Sequence, residues 1–252
     1  MINLFNKIRK QLLIEDKMGR YLKYAIGEII LVMVGILLAL QVNTWNNNRE
    51  LKREELKVLN SLKQEFIVNL KKFDKAYEFH LNRKKAIETM ANVNHWELSL
   101  DSLRSLNRTI NNNYTFDPFQ GIYNSVINSG KIELVSNDSL KLKIARFQDL
   151  INDYKEEETN TMGFVQQNVY PFQLDNYKLN FNLFFNVKQS SKEEQMEFKN
   201  NLIQLIESDK YKNMIVYIYN YMAGIFEEGP VLRDEMQSII NLLESEIKTY
   251  EN

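Results

Sequence analysis

The side chains able to do chemistry in this chain are few and scattered. There are two histidines, His80 and His95, and no cysteine. Neither histidine stands in an H-E-x-x-H pattern, in which two imidazoles share one helix face with a glutamate base. Without cysteine there is no thiolate nucleophile, no thiolate metal site and no disulfide, which is compatible with an oxidising compartment but does not require one. A G-x-S-x-G elbow and a phosphate-cradling G-x-x-x-x-G-K-[ST] loop are also missing. The remaining candidates are the acidic neighbours Glu193-Glu194 and Glu227-Glu228. Both fall where helix ends are expected, and a carboxylate at a helix end is ordinarily solvated. The expectation is therefore a protein with no catalytic residues, no cofactor and no metal. Lys and Arg number 32 against 33 Asp and Glu, for a net charge of −1. That balance leaves no basic footprint for nucleic acid.

The element that must position everything else is Tyr24–Trp45, YAIGEIILVMVGILLALQVNTW. No polar side chain occurs from Ile29 to Leu40. At 1.5 Å per residue the stretch is about 33 Å long, close to a bilayer's hydrocarbon core. A buried core helix of that length would show a polar stripe, and this one shows none. A cleaved signal peptide would have a shorter apolar run and small residues at its cleavage site, but Leu37 precedes Ala39, and Gln41 and Asn43 follow. The stretch reads as an uncleaved transmembrane helix, with Tyr24 and Trp45 as aromatic anchors at the two interfaces.

Lys7, Arg9, Lys10, Lys17, Arg20 and Lys23 precede the span; Arg49, Lys52, Arg53 and Lys57 follow it. This bias predicts a cytoplasmic N-terminus and a C-terminal part on the far side. Residues 1–23 form a basic cytoplasmic or interfacial tail. Ile2, Phe5, Ile8, Leu12 and Leu13 share a helical face, so residues 2–14 fit either an interfacial helix or a tail that only sets topology. Within the span, Glu28, Val32, Gly35, Ala39 and Asn43 lie within about 80° of one another. Gly35 and Ala39 form a small-xxx-small pair that lets two helices approach closely. The face predicts a helix–helix contact with itself or a partner span. A competing reading has Glu28, one turn from Tyr24, reaching the headgroups.

The stretch from Lys23 to Glu50 resembles the start of an uncharacterised family of single-span envelope proteins of Bacteroidetes. The resemblance is carried by Gly27, Glu28, Ile29, Gly35, Ile36, Leu37, Ala39, Leu40, Gln41, Asn43, Trp45 and Asn46, with a looser likeness over Tyr123–Leu134. It implies a bacterial inner-membrane protein with a periplasmic C-terminal part, and it brings no activity.

After the span, Leu59, Leu62, Phe66, Leu70, Phe73, Tyr77, Leu81 and Ile87 recur at threes and fours, predicting one helix from Asn48 to Asn92. Further helices are expected at Asp101–Thr109, from Asp117 as N-cap with Pro118 at the first position to before Gly130, and from Ser136 to Val169, ending before Pro171. Ser191-Lys-Glu-Glu194 is a capping box that opens another helix. Gly229-Pro230 is the usual helix-ending order and favours a turn over a kink. Residues 171–189 are the least helical part, an irregular strap whose alternating pattern finds no partner strand. Its Tyr170, Phe172, Tyr177 and Phe184 are candidates for a partner contact, with ordinary aromatic packing as the competing reading.

Together these readings give an all-α protein: one N-terminal transmembrane helix (24–45) continuing into a long helix that packs in an antiparallel bundle over 46–252. The expected function is a membrane-tethered interaction or scaffold module whose partners are the bilayer and another envelope protein or itself. A sensory, ligand-binding ectodomain acting through a partner membrane protein is the alternative. An enclosed pocket lined by polar groups would favour the sensor, and an exposed apolar patch over a solid core the interaction module.

Overall fold

The computed structural model describes residues 18–177 and 190–250. These fall into two compact units, divided between Leu56 and Lys57. Among the described residues every regular element is helical. The basic tail before Met18 and the alternating stretch from Leu179 to Val187 lie outside them.

The first unit is the opening part of α1 (Met18–Asn92). Its apolar side chains point outward: Ile29 is 67% and Val42 63% exposed. A soluble core helix would bury such residues. By length and composition the segment is able to cross a membrane.

In the second unit α1 carries a strict three–four alternation: Leu59, Leu62, Phe66, Asn69, Phe73, Ala76, His80, Arg83, Ile87 and Met90 are all buried. This is the 3.5-residue period of a packed seam. Leu81, expected on the stripe, is exposed, and His80 and Arg83 are inside in its place. Two helices cover the seam, α4 (Asp138–Phe164) and α8 (Ala223–Thr249). Phe66 meets Phe147 at 4.7 Å between ring centroids, and Phe73 meets Tyr154 at 5.1 Å. Residue numbers rise together along that contact, so α1 and α4 run parallel. Arg233 reaches back to Asp74 at 2.8 Å, and Asn137 reaches forward to Glu246 at 2.6 Å. Numbers fall as they rise along those contacts, so α8 is antiparallel to both.

Two helices can follow one another in parallel only if the chain returns between them. After α1 come a 3-10 turn (His95–Glu97) and α2 (Leu100–Asn111), capped by Ser99. Residues 112–120 are non-helical and run back down α1. A helix capped by Asp117 is not formed; α3 is Gly121–Asn128. The reason is tertiary. Asn69 takes the Phe119 amide at 2.8 Å, and Glu65 takes the amides of Ile122 and Tyr123 at 2.8 Å each. Glu65 thus supplies from another helix the cap that α3 lacks locally. Gly130 then turns the chain at φ 71°, a 3-10 turn (Lys131–Leu134) follows, and Asn137, one residue after the expected Ser136, caps α4.

Past α4 the chain stays helical through a π turn (Val165–Val169) into α5 (Tyr170–Asn176), where an irregular strap was expected from residue 171. The wide turn places Pro171 within the opening of a new helical segment, where its missing N–H is tolerated. The capping box at Ser191–Glu194 opens α6 (Lys192–Glu207), and α7 (Asp209–Tyr221) follows under Ser208. The helix break falls at Met222, with ψ −8°, and α8 then runs through Gly229-Pro230 without the expected turn. Gly229 is there for contact: a Cβ would lie 2.4 Å from Cε2 of Tyr77.

Candidate functional site

Polar side chains that enter the core are the first candidates, since burial of such groups must be compensated. His80 and Glu158 are 1% and 2% exposed. Glu158 accepts the Phe116 amide at 3.1 and 2.9 Å on its two oxygens. His80 Nε2 lies 3.0 Å from the same carboxylate and must donate, because a carboxylate only accepts. Burial, and then the Glu158 charge, hold the Tyr154 hydroxyl far above its ordinary range. One turn on, Arg83 Nε donates to the Ile110 carbonyl at 2.7 Å, and Tyr170 donates to the Asn111 carbonyl at 3.0 Å. The terminal nitrogens of Arg83 make no hydrogen bond among the described residues. Burial pushes this guanidinium down to about 10, with Tyr170 opposing. Tyr211, pushed up to about 12 by burial, accepts from Asn111 at 2.6 Å and Gln173 at 3.2 Å.

These groups share one task. From Asn69 to Tyr211 they bind main chain or side chain of residues 107–123, the returning segment and the end of α2. All but the partly exposed Tyr170 and Gln173 are closed to solvent, and their hydrogen bonds hold the returning segment in place. Apart from Tyr170, singled out for another role, and His80, considered only as a metal ligand or base, sequence reasoning passed over them because it followed apolar residues; the signal was the strict repeat through Asn69, His80 and Arg83.

The open feature lies at the far end of the second unit. A groove of about 610 Å³ is lined by Ile87, Met90, Ala91, Ile206, Ile215 and Val216. Glu88, His95, Glu207 and Lys212 line it as well. His95 Nε2 donates to the Met90 carbonyl at 2.8 Å, which turns Nδ1 toward Glu207 at 3.5 Å. His80 and His95 are therefore not brought together. Among the described residues no group of three or more His, Asp or Glu could hold a metal ion.

On the flank of α7 away from the groove, Tyr217 and Tyr221 turn outward, 57% and 42% exposed. Phe164 stacks on Tyr217 at 5.6 Å and packs on Tyr221 at 5.3 Å, so three rings form one exposed aromatic face. Glu227 and Glu228 lie inside α8 rather than at a helix end.

The other sequence candidates are dispersed. Val32, Gly35, Ala39 and Asn43 are exposed on α1, Glu28 is half-buried, and a Cβ at Gly35 would meet nothing within 4 Å. Tyr24 lies in α1 as well, and Trp45 is exposed with the Arg49 guanidinium 5.8 Å from its ring. Tyr170 is partly exposed. Phe172, for which partner contact and ordinary packing were both open, is buried and stacks on Tyr211 at 6.3 Å, while Tyr177 is half-buried and stacks on Phe198 at 5.9 Å. Phe172 is held there by α5, and Tyr177 by the extended residue position that ends it. Phe184 lies outside the described residues.

No curated protein and no solved structure matches the chain. One family model does, over residues 28–222, beginning at the glutamate of the apolar helix and stopping at the break before α8. The chain belongs to the Family of unknown function (DUF6090).

Proposed function

We propose that this protein is a non-catalytic interaction module tethered to the bacterial envelope. Its α1 crosses the inner membrane with the N-terminus in the cytoplasm, and its second unit stands in the periplasm as a helical scaffold that binds another envelope protein. The observation that carries this reading is the outward aromatic face of α7, Tyr217 and Tyr221 with Phe164. Clustered exposed rings on an otherwise packed bundle are what a partner surface requires. Gly35 and Ala39 would let a second span approach α1. The test is a mild-detergent pull-down of the full-length protein from its native membrane, with mass spectrometry, run in parallel with Tyr217→Ser/Tyr221→Ser. A stoichiometric partner lost from the double variant supports the module; recovery of the chain alone removes it.

A second reading is favoured by the groove itself, whose volume falls in the range of small-molecule sites. A sensory domain would use it and signal through a partner membrane protein. A ligand that raises the melting temperature of wild type but not of a variant filled at Ala91 would support that reading.

A further inference from the structure

Along α7 the aromatic face meets Lys210, two turns before Tyr217 and held over the Phe172 ring at 5.1 Å, and at its other end it meets carboxylates. Glu157 of α4 faces the start of α8, close enough to Glu227 and Glu228 to feel their charge, and Glu156 follows on the neighbouring flank of α4. Glu157 lies against Gly224, one turn beyond Tyr221, and Phe164 stands two turns further along the same side of α4. None of the four carboxylates has a cation within ion-pair distance among the described residues. The nearby cations are engaged elsewhere: Lys155 with Asp117 at 3.7 Å, and Lys84 over the rings of Phe226 and Tyr219. Burial and repulsion from Glu156, Glu228 and Glu227 raise the Glu157 carboxyl above its ordinary value.

We propose that this face docks a basic segment of a partner protein, with Lys or Arg side chains over the Phe164–Tyr217–Tyr221 rings and against the four carboxylates. The inference rests on the interaction-module reading and adds the partner's chemistry to it. A cation over an aromatic face is attracted by the ring, and a carboxylate beside it adds an ion pair. Uncompensated like charges repel one another in the free protein, so a basic partner relieves the repulsion on binding. The same charges turn away anionic lipid headgroups, nucleic acid and acidic proteins. Exposed Tyr paired with incoming Arg is also the composition of interface hot spots.

The test uses the full-length protein in nanodiscs and three labelled helical peptides identical in their apolar positions, with Lys, Gln or Glu at every polar position. Fluorescence anisotropy reads binding. The Lys peptide is expected to bind at least about tenfold tighter than the Gln peptide and to weaken about tenfold in Glu157→Gln/Glu227→Gln/Glu228→Gln. It is expected to weaken about as much in Tyr217→Ser/Tyr221→Ser, with both variants checked for an unchanged melting temperature. Equal affinity for Lys and Gln peptides, or an unchanged affinity in the glutamine variant, overturns the basic partner. If the tyrosine variant alone then loses both peptides, the interaction module stands without its charge preference. Loss with the charge variant but not the tyrosine variant makes the binding unspecific and also overturns the proposal. Self-association through Tyr217 that the glutamine substitutions strengthen would replace the partner by a second copy of the chain.

Discussion

Asn69 holds Phe119 by both of its main-chain groups: its Nδ2 donates to the Phe119 carbonyl at 2.7 Å, and its Oδ1 accepts the Phe119 amide at 2.8 Å. One buried carboxamide on α1 thus satisfies a residue fifty positions on, in a segment with no helix or sheet to do so. Asn69→Leu removes both bonds and leaves two main-chain groups unsatisfied, so about 2–4 kcal/mol of stability is lost. Denaturation of the full-length protein in detergent, followed by circular dichroism, measures it. A loss under about 0.5 kcal/mol would contradict the role given to Asn69.

Glu158 serves His80 and the Phe116 amide together, so its removal strands two groups. Glu158→Leu is expected to cost about 3–5 kcal/mol, and His80→Leu less. The double variant should lose less than the sum of the two, because each single change leaves the other partner buried alone. An additive double variant would mean that the 3.0 Å contact carries no coupling.

Arg83 combines complete burial with only one hydrogen bond among the described residues, from Nε. Replacing a buried charge by an apolar side chain of similar length is often neutral or stabilising. Arg83→Met is therefore expected within about 1 kcal/mol of wild type or above it, whereas Arg83→Ala falls by about 2 kcal/mol or more through the cavity it leaves. Parallel melts of the two variants distinguish packing from charge.

Tyr211 makes alkaline pH a probe of the core. Its folded value of about 12 exceeds the ordinary 10, so the folded state keeps the proton longer than the unfolded one. That stability is fully present below pH 10 and is lost as pH rises toward 12. Tyr211→Phe should flatten the fall of melting temperature over that window while lowering stability at pH 8, where the bonds to Asn111 and Gln173 are missed. An unchanged alkaline slope would show that Tyr211 does not titrate in the core.

Gly229 sets two effects against each other. Helix propensity alone makes Gly→Ala stabilising by about 1 kcal/mol. A Cβ here would sit 2.4 and 2.9 Å from the Tyr77 ring, and overpacking costs about 1–3 kcal/mol. Gly229→Ala is expected to destabilise, and Tyr77→Leu in the same chain to restore part of the loss. In the apolar helix the proposal differs: Gly35→Leu with Ala39→Leu should weaken span association in a membrane two-hybrid assay, and unchanged association would clear that face of the role.

The legible part of this fold was whatever neighbours in the chain decide. The Ser191 capping box, the end of α1 at Asn92 and the turn at Gly130 all follow from residues within a few positions. What escaped was decided by contacts across the chain. Asp117-Pro118 has the local form of a helix start, yet Asn69 and Glu65 claim the amides around it. Gly229-Pro230 has the form of a helix end, yet Gly229 is small because Tyr77 lies on it. Leu81 was expected on the stripe and His80 was not, since polarity alone does not tell a solvated side chain from one with a partner inside. The aromatic face of α7 escaped for a related reason. Its tyrosines suit a core as well as a surface, and only the packing of α4 against α7 leaves Tyr217 outside.

The placement of α8 bears on how the chain reaches this state. The trough between α1 and α4 is filled by Leu232, Met236, Ile239 and Leu243, each no more than 1% exposed, and all of them come after every other described element. Asp74 waits for Arg233, and Asn137 for Glu246. Closing such long loops is slow relative to forming the helices themselves. During synthesis α1 and α4 therefore stand side by side with an open apolar channel until the chain has grown past Tyr250. A nascent chain held at that stage exposes the surface on which chaperones act and aggregation begins.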